Sequence, residues 1–121
     1  MFEWTQKRDL VITDQALYNI HKKKIKRVIM ISEIGGITKT VEPSKNSTEF
    51  TVHVPSSYDY RFITKSREEI IDVIKRAFFV SQKKNVPIFH VSNKDLKDFT
   101  TTEKDMKKGY SRFPLMDMRN F

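Results

Sequence analysis

Tyr58-Asp59-Tyr60-Arg61-Phe62-Ile63-Thr64-Lys65-Ser66-Arg67-Glu68-Glu69-Ile70-Ile71 contains the point at which this chain changes its period. Up to Ile63, the residues Tyr58, Tyr60 and Phe62 recur every second position, which places them on one face of a strand. Beyond it, Ile70, Ile71, Ile74, Ala77, Phe78 and Ser81 recur at spacings of three and four, the stripe of an amphipathic helix. Ser66 stands where an N-cap is needed, with Glu69 three residues later, the pattern of a capping box. Glu68 adds acid at the positive end of the helix dipole. Lys75, Arg76, Lys83 and Lys84 add base toward the other end. Asn85 and Pro87 are stop signals, so the spacing predicts a helix over residues 67–84.

Upstream of this switch the chain reads as short strands separated by turn chemistry. Asp9-Leu10-Val11-Ile12, then Ala16-Leu17-Tyr18-Asn19-Ile20, then Arg27-Val28-Ile29-Met30-Ile31 are the first three candidates. Gly35-Gly36 breaks the pattern. In the next strand Ile37, Lys39 and Val41 share one face, with Thr38 and Thr40 on the other. A loop at Pro43-Ser44-Lys45-Asn46-Ser47 leads to a fifth strand, in which Phe50, Val52 and Val54 oppose Thr51 and His53. Downstream of the helix, residues 86–91 form another short strand candidate. Thr100-Thr101-Thr102-Glu103 is a capping signal for a short helix in a much more polar segment.

Length and composition bound the function. The chain has 121 residues, 38% hydrophobic and 31% charged, which fits one globular domain and leaves no room for a motor or kinase. The absence of cysteine excludes disulfides, thiolate metal sites and cysteine nucleophiles. The apolar runs are far shorter than the ~20 residues that span a bilayer. The opening Met1-Phe2-Glu3-Trp4 does not read as a secretory signal. His21, His53 and His90 are isolated in sequence, and Gly35-Gly36 lacks the lysine and serine of a phosphate loop. No catalytic constellation, metal site or cofactor is therefore expected, and the chain reads as a non-enzyme. The formal charge of +8 favours anionic surfaces.

Six strands followed by one long amphipathic helix resembles the element order of a pleckstrin-homology-like domain. The expected fold class is α+β: curled antiparallel sheets of six or seven strands, closed by the helix as the C-terminal element. A seventh strand would have to come from residues 2–8. The expected domain spans residues 1–92, with 93–121 as a polar extension, partly ordered or docked.

Several stretches carry a more specific resemblance: Asp9-Leu10-Val11-Ile12-Thr13-Asp14-Gln15-Ala16-Leu17-Tyr18, Lys24-Ile25-Lys26-Arg27-Val28-Ile29, Ile34-Gly35-Gly36-Ile37 and Phe50-Thr51-Val52-His53-Val54-Pro55-Ser56-Ser57-Tyr58-Asp59-Tyr60. With the helix over 68–76 and Asn85-Val86-Pro87-Ile88, their order is similar to that of the myosin class I tail homology 1 (TH1) domain, over about residues 8–90. Lipid-binding GRAM domains share the first pieces. The resemblance implies a cytoplasmic, peripheral module at the inner face of a membrane. It would bind anionic phospholipids, including phosphoinositides, and could link them to the actin cytoskeleton. The family's principal headgroup positions lie around its first loop, where only Lys7 and Arg8 match.

The residues themselves point to Lys22-Lys23-Lys24-Ile25-Lys26-Arg27, the densest basic run. Lys22, Lys23, Lys24, Lys26 and Arg27, helped by Lys7 and Arg8, are the expected lipid-binding residues. The plainer reading is a solubilising hairpin loop. Nucleic acid is not the expected partner, because no aromatic pair accompanies the run at the spacing of an RNA-recognition strand pair. The second reading is an adaptor that binds a cytoskeletal or other protein beside the helix, through Phe79 and Lys83.

Overall fold

The computed structural model describes residues 8–40, 48–91, 96–110 and 112. Three antiparallel strands come first, β1 (Asp9–Ile12), β2 (Ala16–His21) and β3 (Lys24–Met30), in the order β1-β2-β3. Thr13 builds the first turn. Its hydroxyl accepts the amides of Gln15 and Ala16 at 3.1 and 3.0 Å, a local bond that competes with strand pairing and so ends it. The second turn is only Lys22 and Lys23, both left-handed with φ of 50° and 64°. Two consecutive left-handed residues give the turn whose twist matches the flanking strands.

The 3-10 turn Ile31–Glu33 carries the chain into a second sheet. Its strands are β4 (Gly36–Thr40), β5 (Glu49–His53) and β6 (Tyr60–Ile63), each antiparallel to the next. Helix α1 (Arg67–Gln82) then leads to β7 (Ile88–Val91), which runs parallel to β4 and gives the order β6-β5-β4-β7. A 3-10 turn at Leu96–Phe99 and a short helix α2 (Glu103–Lys107) complete the described chain. Thr102 caps α2, its hydroxyl accepting the Asp105 amide at 3.1 Å.

This arrangement corrects the expected pleckstrin-homology-like fold. The protein is α+β, but its three- and four-stranded sheets are separate and open, neither curled nor closed by a helix. The reason is local. The Ile31–Glu33 turn ends β3 without pairing it to β4, so one edge of β4 is left for another strand. Ile88-Phe89-His90-Val91, rich in branched and aromatic residues, fills that edge after the helix. Six strands do precede α1, yet the helix is followed by a strand instead of ending the fold. The proposed early strand at residues 2–8 lies almost wholly outside the described residues.

The helix start also differs from expectation. Ser66 makes no side-chain cap bond; the Thr64 hydroxyl instead accepts the Ser66 amide at 3.1 Å. The first turn is fastened by Arg67, which is buried and donates to the Thr40 carbonyl and hydroxyl, both at 3.2 Å, and to the Glu49 carbonyl at 3.3 Å. One guanidinium thus ties α1 to two strands of the second sheet. At the other end the helix stops at Gln82, where Lys83 turns left-handed and its amide reaches Phe79 O at 2.9 Å.

One core joins the two sheets and the helix. Leu17 and Ile29 from the first sheet, Ile37, Phe50 and Val52 from the second, and Ile71, Ile74 and Phe78 from α1 are all buried in it. The opposite face of the second sheet is buried as well. Thr38, Thr40, Thr51 and His53 lie there, covered by residues 96–101, where Phe99 packs on Phe89. The Thr51 and Thr100 hydroxyls meet at 2.9 Å.

Candidate functional site

The basic run divides along the second hairpin. Lys22 and Lys23 form its exposed tip, and Lys24, Ile25, Lys26 and Arg27 already belong to β3. Asn19 pairs with Arg27 and Ile20 with Ile25, so Lys26 is an extra residue opposite nothing, a β-bulge. Such a bulge re-aims side chains. Here Lys26 and Arg27 both line a cleft of about 340 Å³, together with Arg8, Asn19, Tyr58, Asp59, Tyr60 and Arg61. The cleft lies where the far end of the first sheet meets the segment leading into β6.

Its walls are organised around Arg27. The guanidinium carbon sits 3.8 Å from the centre of the Tyr58 ring and 5.7 Å from that of Tyr60. One terminal nitrogen donates to Tyr58 O and the other to Asp59 O, the latter at 3.4 Å. Burial pushes the Arg27 pKa below its ordinary value, while the adjacent tyrosines and Asp59 act in the opposite direction. An arginine remains charged under such pressure. Two of its five donors are engaged by carbonyls. Tyr60 stacks on Phe62 with ring centres 4.2 Å apart, and its hydroxyl accepts from the Asn19 amide. Burial, above all, raises the Tyr60 pKa, so the hydroxyl stays protonated at neutral pH.

Four cationic side chains therefore converge with one acid among them. That acid, Asp59, faces inward. Its carboxylate accepts the amides of Val54 and Thr101 and the Nδ1–H of His53, each at 2.9 Å. Arg61 also faces Glu49, at 3.9 Å. The cleft carries a positive field, with arginine forks suited to phosphate or carboxylate oxygens.

His53 extends the Asp59 network, with Nε2 at 2.5 Å from the Thr38 hydroxyl. The order Thr38, His53, Asp59 has the hydrogen-bond sequence of a nucleophile, a base and an orienting acid. Thr38 and His53 are both fully buried, however, so the hydroxyl meets no solvent or substrate. The arrangement works as a strut: Asp59 N donates to Thr101 O at 2.8 Å while Thr101 N returns to the Asp59 carboxylate. It fixes the 58–61 wall of the cleft to residues 100–101.

Of the residues expected from sequence, Arg8, Lys26 and Arg27 come together in the cleft, and Lys22, Lys23 and Lys24 lie at the hairpin end. Lys7 lies outside the described residues. Phe79 and Lys83 are exposed at the end of α1, away from the cleft lining. Sequence reasoning missed Asn19, Tyr58 and Tyr60 as site residues, and Arg61 reads in the sequence as a scattered surface charge that joins the patch only if the loops converge. The alternation of Tyr58, Tyr60 and Phe62 reads as one strand face, but the strand begins only at Tyr60. Among the described residues no cluster of histidine or acidic side chains could hold a metal ion, and no helix is long and apolar enough to cross a membrane. Comparison with family models, curated proteins and solved structures finds no match for this chain, so the TH1 resemblance rests on the quoted residues alone.

Proposed function

We propose that this protein binds anionic phospholipid surfaces peripherally, with the cleft receiving a headgroup phosphate and the hairpin tip lying against the leaflet. The observation that carries this reading is the convergence of Arg8, Lys26, Arg27 and Arg61 on one cleft beside the exposed Lys22–Lys24 tip. Each ammonium or guanidinium near an anionic leaflet contributes about 1 kcal/mol, acting within a Debye length of about 8 Å. Three tip lysines together supply about 3 kcal/mol, roughly a hundredfold in partitioning. The TH1 resemblance points the same way.

The test is vesicle co-sedimentation at ~150 mM salt, comparing neutral vesicles with vesicles carrying phosphatidylserine or phosphoinositide. Binding should require anionic lipid and fall by more than about a hundredfold in the triple variant Lys22→Glu, Lys23→Glu, Lys24→Glu, since reversal adds repulsion to the lost attraction. Equal sedimentation of variant and parent refutes the reading. A second reading draws on the exposure of Phe79 and Val80 on α1, 53% and 56%: an adaptor surface for a protein partner around Phe79 and Lys83. It gains ground if anionic vesicles fail to bind even at low salt.

A further inference from the structure

The outer face of the first sheet is apolar where a solvated sheet face would be polar. Directly opposed residues of antiparallel strands share a face. Val11, Tyr18 and Val28 stand in register across β1, β2 and β3, and Ile20 stands opposite Ile25 in the adjoining row. Ile25 is 60% exposed, Val28 45% and Val11 44%. The β2–β3 side of this patch is one-signed. No acidic residue occurs between Asp14 and Glu33, while Lys22, Lys23, Lys24 and Lys26 bracket Ile25. An apolar patch set in a cluster of ammonium groups is complementary to one kind of surface, an anionic bilayer, in which phosphates meet the lysines and acyl chains lie just below.

We infer that the β2–β3 hairpin inserts its apolar outer face, led by Ile25 and followed by Val28, into the headgroup–acyl boundary of an anionic membrane. This rests on the proposed membrane function and adds a mode of contact, shallow wedging on top of electrostatic capture. Asp9, opposite Ile20 on the same face, sets the tilt. The β1 side carries the acid and stays in water, so the β3 edge enters first.

The chain has no cysteine, so Ile25→Cys offers a single site for an environment-sensitive fluorophore. Lys104→Cys on α2 serves as the control. With phosphatidylserine vesicles, the label at position 25 should shift to the blue and become shielded from aqueous iodide, while the label at 104 changes in neither respect. Ile25→Ser should weaken vesicle partitioning about tenfold at unchanged charge, with its circular dichroism unaltered, whereas Val80→Ser should not weaken it. If the parent binds anionic vesicles but the label at 25 stays in water and Ile25→Ser binds equally, insertion is refuted and electrostatic capture stands. If the parent does not bind even at low salt, both fall. A blue shift that grows with protein concentration in the absence of vesicles would assign the face to a second copy of the chain and overturn the inference.

Discussion

Asp59→Ala tests the strut that supports the cleft. The Asp59 side chain is 1% exposed and accepts three hydrogen bonds, from the amides of Val54 and Thr101 and from His53 Nδ1. Alanine removes all three acceptor contacts at once. Val54 and Thr101 are themselves buried, so their amides cannot turn to water without local opening. A buried donor left without a partner costs about 1–3 kcal/mol. Three such donors give roughly 3–9 kcal/mol, offset by relief of the desolvation that the carboxylate itself suffers. A loss of about 4 kcal/mol is expected, a large part of the roughly 5–15 kcal/mol that holds a domain of this kind. With a urea slope of about 1–3 kcal/mol per molar, the midpoint followed by circular dichroism should fall by about 2 M. Asp59→Asn keeps one acceptor oxygen and should lose about half as much. Native-state hydrogen exchange gives an independent readout, since the Val54 and Thr101 amides should lose protection together. A loss under about 1 kcal/mol, or unchanged protection at both amides, would refute the account of Asp59 as the strut's centre.

Arg67→Ala removes the donor group that joins α1 to the Thr40 and Glu49 carbonyls, and should cost about 3 kcal/mol in urea unfolding. Arg67→Lys, which keeps the charge but not the fork, should fall between the two. Glu68 accepts from Lys39 at 2.6 Å and from Arg67 at 2.8 Å, and the Lys39 bond in particular holds its carboxyl below the ordinary carboxylate pKa. A depressed carboxyl stabilises the fold above its unfolded-state value and loses that contribution as pH falls through the lower folded value. The Glu68 side chain is 58% exposed, so the contribution is screened to under about 1 kcal/mol. Unfolding midpoints of the parent and Glu68→Gln should accordingly differ at pH 7 and converge as the pH falls through the depressed folded-state value.

Local periodicity was legible in the sequence, and long-range pairing was not. The alternation of Phe50 and Val52 and the three-four spacing of Ile71, Ile74 and Phe78 place these residues in the core, because burial on one face is a local property of a strand or helix. Which edge β7 would choose depends on β3 failing to pair with β4, and no spacing records that. Thr38, Thr40, Thr51 and His53 have the composition of a solvated face, yet residues 96–101 cover them. They can be buried because their polar groups find partners, Thr51 with Thr100 of the cover, Thr38 with His53, His53 with Asp59 and Thr40 with Arg67. In the cleft, the lysine run was visible as charge. Arg61 and Tyr58 reach it only through tertiary placement, from 31 or more residues away in the chain.

The extra residue in β3 accounts for how one basic run serves two surfaces. In a regular strand Ile25 and Arg27, two positions apart, would share a face. Either the isoleucine would then enter the cleft or the arginine would leave it for the outer face. The bulge at Lys26 breaks that link, since Ile25 stands opposite Ile20 on the outer face and Arg27 stands opposite Asn19 on the inner one. Lys26, freed from a partner of its own, joins Arg27 in lining the cleft. A strand edge with unpaired groups and exposed apolar residues invites pairing with another chain. The bulge and the surrounding lysines counter that tendency, so a single inserted residue both sorts the side chains and protects the edge that presents them.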